Sequence, residues 1–204
     1  QIEITDNLIE KTKELKKGLM QKLLTKGIGH SKFKDTEIGW IPEQWEVNQL
    51  IHIADIIDSL HETPQYQEEG FPMIRVIDVN GKDIQTVNCF RVSKDIYLKF
   101  IRKYEPKKYD IIMSRVGSYG IVSYLKNDEK VCLGQNIVVI SPKINNMYLY
   151  YCLSSLVTQN QIEKMTVGSS QKTLSLENIK KIKISVPSLK EQEKIALMLI
   201  SVDE

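Results

Sequence analysis

LKEQEKIALMLISVDE (residues 189–204) placed ahead of QIEITDNLIEKTKELKKGLMQKLLTK (residues 1–26) reads as one helix without a break at the junction. The joined run contains no proline, and Gly18 is its one glycine. Ile4, Leu8, Leu15, Leu19 and Leu23 recur at spacings of 4, 7, 4 and 4, and Ile195, Leu199 and Val202 at spacings of 4 and 3. Such narrow apolar stripes, with Lys11, Lys13, Lys16, Lys17 and Lys22 around the remainder, predict a seam for a partner helix, nearer to a coiled coil than to a broad core face. Together the two pieces make about 42 residues, or ~60 Å of helix at 1.5 Å per residue. Two chain ends that look like halves of one helix predict a unit of a tandem arrangement, carrying a globular domain that a larger assembly positions.

Working inward, Gly27 is placed to cap the first helix, with Lys22 and Lys26 in its last turn. Ser188, followed three residues later by Glu191, predicts a capping box at the start of the last helix. Residues 27–40 show no sustained period and read as a linker, leaving residues 41–186 as the globular domain and 187–204 as the start of a second, truncated helix. Within the domain, strand signals fall at 73–79, 84–92, 109–114, 121–125, 136–141 and 182–186, and Asn80-Gly81 predicts a hairpin turn between the first two. Helical periods fall at 94–104 and 147–165, with a short turn starting at Ser175. Strands interleaved unevenly with helices predict an α+β fold: a mixed globular domain flanked by long helices that form an antiparallel, coiled-coil-like spacer.

Composition narrows the class. A chain of 204 residues, 42% hydrophobic and 26% charged, suits a water-soluble globular protein with a substantial core. No apolar run is long enough to cross a bilayer, and Cys89, Cys132 and Cys152 lack metal-site spacing; reduced thiols in the cytoplasm are the expectation. The first residue is Gln, so the natural start is expected upstream. Net charge is +2, but between residues 91 and 108 seven Lys and Arg face Asp95 and Glu105, a net of +5. Between 172 and 190 five lysines face Glu177, a net of +4. Such local surplus suits a phosphate-contacting surface, and equally a solvated lysine face.

Catalytic signatures are sparse. Gly27-Ile28-Gly29 follows a helix rather than a strand, so no dinucleotide fingerprint is present, and neither a P-loop nor an Asn-Pro-Pro-aromatic loop occurs. Asp128-Glu129-Lys130 reads as a solvated turn, and His30, His52 and His61 as structural or surface residues. No metal ligand set, cofactor site or nucleophile pair is expected. Binding chemistry is better represented. Ser114-Arg115-Val116-Gly117-Ser118-Tyr119-Gly120 follows an apolar strand and offers an arginine, the two hydroxyls of Ser114 and Ser118 and the aromatic Tyr119 on a glycine-flexed loop, all candidate DNA contacts. An arginine fork matches guanine O6 and N7, although glycines that merely permit positive φ would explain the same loop. Ser169, Ser170, Gln171, Lys172 and Thr173 form a second polar loop suited to phosphate oxygens, or a plain connection between helices. Arg75, Asn80 and Lys82 around the expected hairpin are a third candidate, against the duller reading of an exposed edge-strand arginine.

Taken together, these residues resemble the specificity subunit of type I restriction–modification systems. The likeness rests on residues 19–30 (LMQKLLTKGIGH), Phe33-Lys34, Ile41-Pro42 with Trp45, residues 109–115 (YDIIMSR) with Gly117 and Gly120, and Pro187-Ser188-Leu189 with Glu191-Gln192, Ile195 and Ala196. One departure is residues 60–64 (LHETP), where the family often has a glycine before Thr-Pro. The resemblance implies a non-catalytic subunit that reads one half of a bipartite site in double-stranded DNA. It implies methylation subunits docked on the helical spacer and motor/endonuclease subunits joined through the complex. A homodimer would supply the missing halves. The different-class alternative is a truncated assembly module that docks methylation subunits without a sequence preference of its own.

Overall fold

A computed structural model describes residues 2–166 and 173–203, the side chains of 2–10 and 13 excepted. Ser169, Ser170, Gln171 and Lys172, and the side chains of Ile4 and Leu8, therefore lie outside the described residues. From the start, α1 (Ile2–Lys26) leads through β1 (Phe33–Lys34) and β2 (Ile41–Pro42) to β3 (Glu46–Gln49), the one-turn α2 (Leu50–Ile53) and β4 (Ala54–Asp58). Past β5 (Phe71–Ile74), two 3-10 turns, Val76–Asp78 and Thr86–Asn88, precede β6 (Phe90–Val92) and α3 (Lys94–Phe100). Then come β7 (Ile111–Ser114), β8 (Val122–Tyr124), β9 (Cys132–Leu133) and β10 (Ile137–Pro142). Helices α4 (Asn146–Ser154), α5 (Leu156–Thr166) and α6 (Leu176–Lys181), strand β11 (Lys183–Val186) and α7 (Leu189–Asp203) complete the order.

The central sheet has the order β4-β10-β7-β8, every neighbour antiparallel. Its middle strands are covered on both faces. Ile111, Met113, Val138 and Ile140 pack into the main core with Tyr148, Leu149 and Tyr151 of α4, while Ile112, Ile137 and Val139 pack with Ile74, Leu133 and Val131 on the other side. Alternate residues thus serve two cores, so both strands read as unbroken apolar runs, a pattern found wherever a strand has no solvated face. Each such side chain contributes about 1.5–3 kcal/mol relative to exposure. The second face is closed by a three-stranded sheet, β6-β5-β9, in which β5 and β9 run parallel. A separate pair, β11 with β3, joins the segment before α7 to the segment after β2.

Helices α1 and α7 lie side by side and antiparallel. Glu191, in the first turn of α7, meets Ile28 and His30 just past α1, and Asp203 at the far end of α7 pairs with Lys16. Twelve residues forward along α7 (203 − 191) thus match twelve backward along α1 (28 − 16). The seam foreseen from the stripe is wider than expected at this end: Leu23 and Leu24 are both buried, with Ile195, Ala196 and Leu199, in the domain's own main core. Leu19 and Met20 pack partly against it, Val202 is half-buried, and Leu15 is 65% exposed.

Several local expectations are revised. Asn80-Gly81 is not a two-residue hairpin: β5 pairs with β6 only through Phe71–Met73 and Phe90–Val92, and residues 75–89 swing out between them. The segment 84–92 is correspondingly a strand only at Phe90–Val92, because Ile84 and Cys89 turn into the second core instead of alternating. The helix expected over 147–165 is two, parted at Ser155, whose hydroxyl donates to Cys152 O at 2.6 Å and accepts from Thr158 N at 3.4 Å. The helix expected to reach Tyr104 ends at Phe100. Glu191 does not reach back to its own helix start; its carboxylate turns to Ile28, His30 and Trp45. The linker-like residues contribute β1, paired to β2, and a turn closed by Thr36 N–H to Gly39 O at 3.2 Å.

Candidate nucleic-acid interface

Register places several loops at one end of the central sheet. Ser114 faces Ile137 and Val138 faces Asp58, so the chain leaves or enters this end after β4, after β7 and before β10. Gly134 N–H donates to Ile74 O at 2.7 Å, which brings the exit of β5, and hence Arg75, beside the 134–136 connection.

The loop after β7 is built around its own backbone. Ser114 Oγ donates to Ser118 O and is 3.3 Å from Ile121 O, while Gly120 N–H donates to Ser114 O at 2.8 Å. Gly117 (φ +72°) and Gly120 (φ +79°) take the left-handed conformation that closes this turn. At Gly120 a Cβ would come within 3.0 Å of Ile162 on α5, so the loop is pressed onto that helix. Gln159 Nε2 donates to Gly120 O at 3.0 Å, and Tyr119 hydroxyl lies 3.3 Å from Thr166 Oγ1. Ser118 is exposed at the loop tip, and Ser114 is fully buried beneath it.

Arg115 ties three segments together. Its Nη1 donates to Asp58 Oδ1 at 2.7 Å and its Nε to Leu174 O at 3.1 Å, with 13% of the side chain exposed. Its backbone N–H donates to Asn136 O and its carbonyl accepts from Leu174 N–H, both at 2.8 Å. Val116 bridges Thr173, so the two polar loops singled out in the sequence meet. Two donors of the guanidinium fork are thus committed inside the protein.

The other candidates are placed differently. Arg75 is held by Asp78, with its N–H to Oδ2 at 2.8 Å and its Nε at 3.3 Å, and its guanidinium carbon sits 3.7 Å from the centroid of the Phe90 ring. Phe90 in turn meets Tyr66 edge-on at 4.9 Å, a half-exposed cation–aromatic cluster. Asn80 and Lys82 are exposed, but on the flank of the sheet. The N–H groups of Asn80 and Gly81 donate to Ser123 Oγ at 3.0 and 3.2 Å, and Tyr150 hydroxyl donates to Gly81 O at 2.6 Å. Asp83 bridges Tyr124, so residues 80–84 run along the outer edge of β8 toward Lys16 of α1.

Sequence reasoning passed over several residues at the loop end. Asp58 is the carboxylate of the Arg115 pair and also sits 3.2 Å from His61 Nε2. Gln135 Nε2 donates to Thr63 Oγ1 at 3.0 Å, and Asn136 carries a positive φ of +64°. No periodic signal marks these residues; the one visible cue was the Gly134-Gln-Asn turn between two apolar strands. Tyr109-Asp110 proves structural: Asp110 is 3% exposed and accepts from Tyr104 hydroxyl and Lys107 N–H, each at 2.8 Å. Burial, reinforced by that carboxylate, pushes the Tyr104 phenol up to about 12.

Among the described residues no cluster of three or more His, Cys, Asp or Glu is placed to hold a metal, and no helix is long and apolar enough to cross a membrane. The three thiols are buried, and burial pushes each up to about 12, which keeps them protonated and poorly nucleophilic near neutrality. The described residues form a mixed helix-and-sheet domain beside the antiparallel pair α1 and α7.

The chain belongs to the family of type I restriction modification DNA specificity domains, whose model matches residues 42–204. It is 31% identical over 205 residues to the type I restriction enzyme MjaVIII specificity subunit of Methanocaldococcus jannaschii, covering 96% of this chain and 48% of that one. It is 28% identical over 162 residues to the EcoBI specificity subunit of Escherichia coli, covering 76% of this chain and 34% of that one. In fold it matches the HsdS subunit from Thermoanaerobacter tengcongensis at a TM-score of 0.65 and 15% identity, over 98% of this chain and 45% of that one. The type I S subunit from M. genitalium matches at a TM-score of 0.65 and 20% identity, over 98% and 50%. The chain spans half or less of the length of these relatives.

Proposed function

We propose that this chain recognises double-stranded DNA as half of a type I specificity subunit, reading one half of a bipartite site. The observation that carries the reading is the meeting, at one sheet end, of the loop bearing Arg115, Ser118 and Tyr119 with the segment at Thr173 and Leu174, on a fold whose family is defined by DNA specificity. Side chains here would face base edges: Arg115 with its uncommitted nitrogen, Ser118 at the tip and Tyr119 beside it. Arg75, and the loop of Ser169, Ser170, Gln171 and Lys172, would take backbone phosphates; Asn80 and Lys82 would do so from the flank. Residues 41–186 would act as the recognition domain and residues 1–26 and 187–204 as the spacer.

In this reading α1 and α7 belong to an antiparallel, coiled-coil-like spacer on which methylation subunits dock, with motor subunits joining through the complex. The chain itself supplies no catalysis and works in the cytoplasm. A second copy, paired through the helices, would furnish the other half-site reader. The test is selection from random duplexes by the full chain with its methylation subunits. One enriched motif is expected; assembly of the complex with no enriched motif would replace DNA reading by the docking role alone.

A further inference from the structure

We infer that the Glu191 carboxylate is the joint that fixes the angle between the α1–α7 pair and the globular domain, and thereby sets which separation of half-sites the protein accepts. The inference rests on the half-site reading above. Glu191 Oε1 accepts from Ile28 N–H at 3.0 Å and faces His30 Nε2 at 2.8 Å, and Oε2 accepts from Trp45 Nε1 at 3.2 Å. The three partners come from three places: the exit of α1, the stretch leading to β1, and the turn between β2 and β3. Trp45 is 1% exposed in the main core, so one oxygen grips the domain while the other grips the helix end.

The neighbourhood leaves no slack. Gly27, at φ +63°, is so closely packed that a Cβ would stand 2.6 Å from both Glu191 Oε1 and Trp45 Cζ2. Next door, Gln192 is 3% exposed; it accepts from Asn145 N–H at 3.0 Å and donates to Pro187 O at 2.8 Å. The rest of the helix contact is apolar through Leu23, Ile195 and Leu199, with a further polar tie where Ser185 Oγ donates to Leu24 O at 3.3 Å. At the far end the Lys16–Asp203 pair is about a third exposed at both side chains and correspondingly weak, and Asp203 also accepts from Tyr151 hydroxyl of α4 at 2.7 Å. Among these ties, Glu191 alone holds the exit of α1, the stretch leading to β1 and the β2–β3 turn at once.

The lever is long enough for this to matter on DNA. Helix α1 has 25 residues. At 1.5 Å each that is about 37 Å, so a rotation of ~5° at Glu191 moves its far end ~3 Å, close to one base-pair step. Each added base pair also turns the second half-site by roughly 35°.

The test measures binding of the full chain, with methylation subunits, to duplexes carrying the selected half-sites at a series of gap lengths. The wild type is expected to prefer one gap by about tenfold or more, and Glu191→Ala to reduce that preference to within about twofold with base preference in each half-site unchanged. Trp45→Phe, which keeps an aromatic side chain but loses the indole donor and some core volume, is expected to fall between them, and stands in if Glu191→Ala does not melt cooperatively. Gap preference equal to wild type in the folded variants overturns the joint, as does a wild type indifferent to gap length. Absence of any half-site motif would instead remove the DNA reading itself.

Discussion

Removing the Arg115 side chain should weaken the fold and the DNA contact separately, and the two losses can be measured apart. Its ion pair with Asp58 is 2.7 Å long, with 13% and 22% of the two side chains exposed. That lies between solvent-exposed pairs, at about 0–1 kcal/mol, and buried ones, at about 3–5 kcal/mol on loss of one partner. Arg115→Ala also strips a donor from Leu174 O, although the backbone bond from Leu174 N–H to Arg115 O survives. We expect Arg115→Ala to lower the unfolding free energy by about 2–3 kcal/mol and Asp58→Asn by about 1–2 kcal/mol. The double variant should lose less than the sum, with a coupling of at least ~1 kcal/mol. Urea unfolding of the wild type, both single variants and the double variant closes the cycle. Additivity to within about 0.5 kcal/mol would refute the claim that this pair holds the loop. In DNA binding, Arg115→Ala should cost roughly 1–3 kcal/mol at one position of the half-site; unchanged recognition removes Arg115 from base readout.

Three further outcomes follow from the packing. Gly27→Ala introduces a Cβ into contacts of 2.6–2.8 Å at a left-handed backbone position. It should cost about 2–4 kcal/mol in urea unfolding, and a loss under ~1 kcal/mol would show that the helix exit is loose. Ser123→Ala leaves the N–H groups of Asn80 and Gly81 without their shared acceptor. A loss of about 1–3 kcal/mol and faster amide exchange at those two positions are expected; unchanged exchange would contradict the anchoring of residues 80–84 on β8. Burial raises the thiols of Cys89, Cys132 and Cys152 from 9.0 to about 12. Their contribution to stability is therefore complete below the unfolded value near 9 and is lost as pH climbs through the folded value. The urea midpoint should fall as pH rises above about 9 toward 12, and Cys→Ser variants at all three positions should flatten that slope; an unaltered slope would contradict it.

What the sequence made legible depended on how local the cause was. The apolar runs at Ile111–Ser114 and Ile137–Pro142 announced strands because both faces are buried, and Ser175 capped α6 through its own hydroxyl, 3.1 Å from Asn178 N. Local signals failed where distant partners decided. Asn80-Gly81 has hairpin chemistry, but Ser123 and Tyr150, 43 and 69 residues away, hold it elsewhere. Glu191 has capping-box spacing, but Trp45 and His30 offer better-placed donors across the chain. Arg115 was recognisable as a loop arginine, yet its partner Asp58 was not, since nothing in residues 54–58 hints that β4 borders β10. The motifs at the two ends of the domain, Ile41-Pro42 with Trp45 and Glu191-Gln192, turn out to be parts of one contact.

The central claim is that the loop end reads DNA sequence. The most direct measurement is the affinity of the full chain, with methylation subunits, for its selected site and for a scrambled duplex of the same length across a salt series. A preference of about 10³ or more for the selected site is expected at physiological salt. The logarithm of the affinity for both duplexes is expected to fall linearly with the logarithm of salt concentration. Equal affinity for the two duplexes at every salt concentration would rule out sequence reading by the loop end.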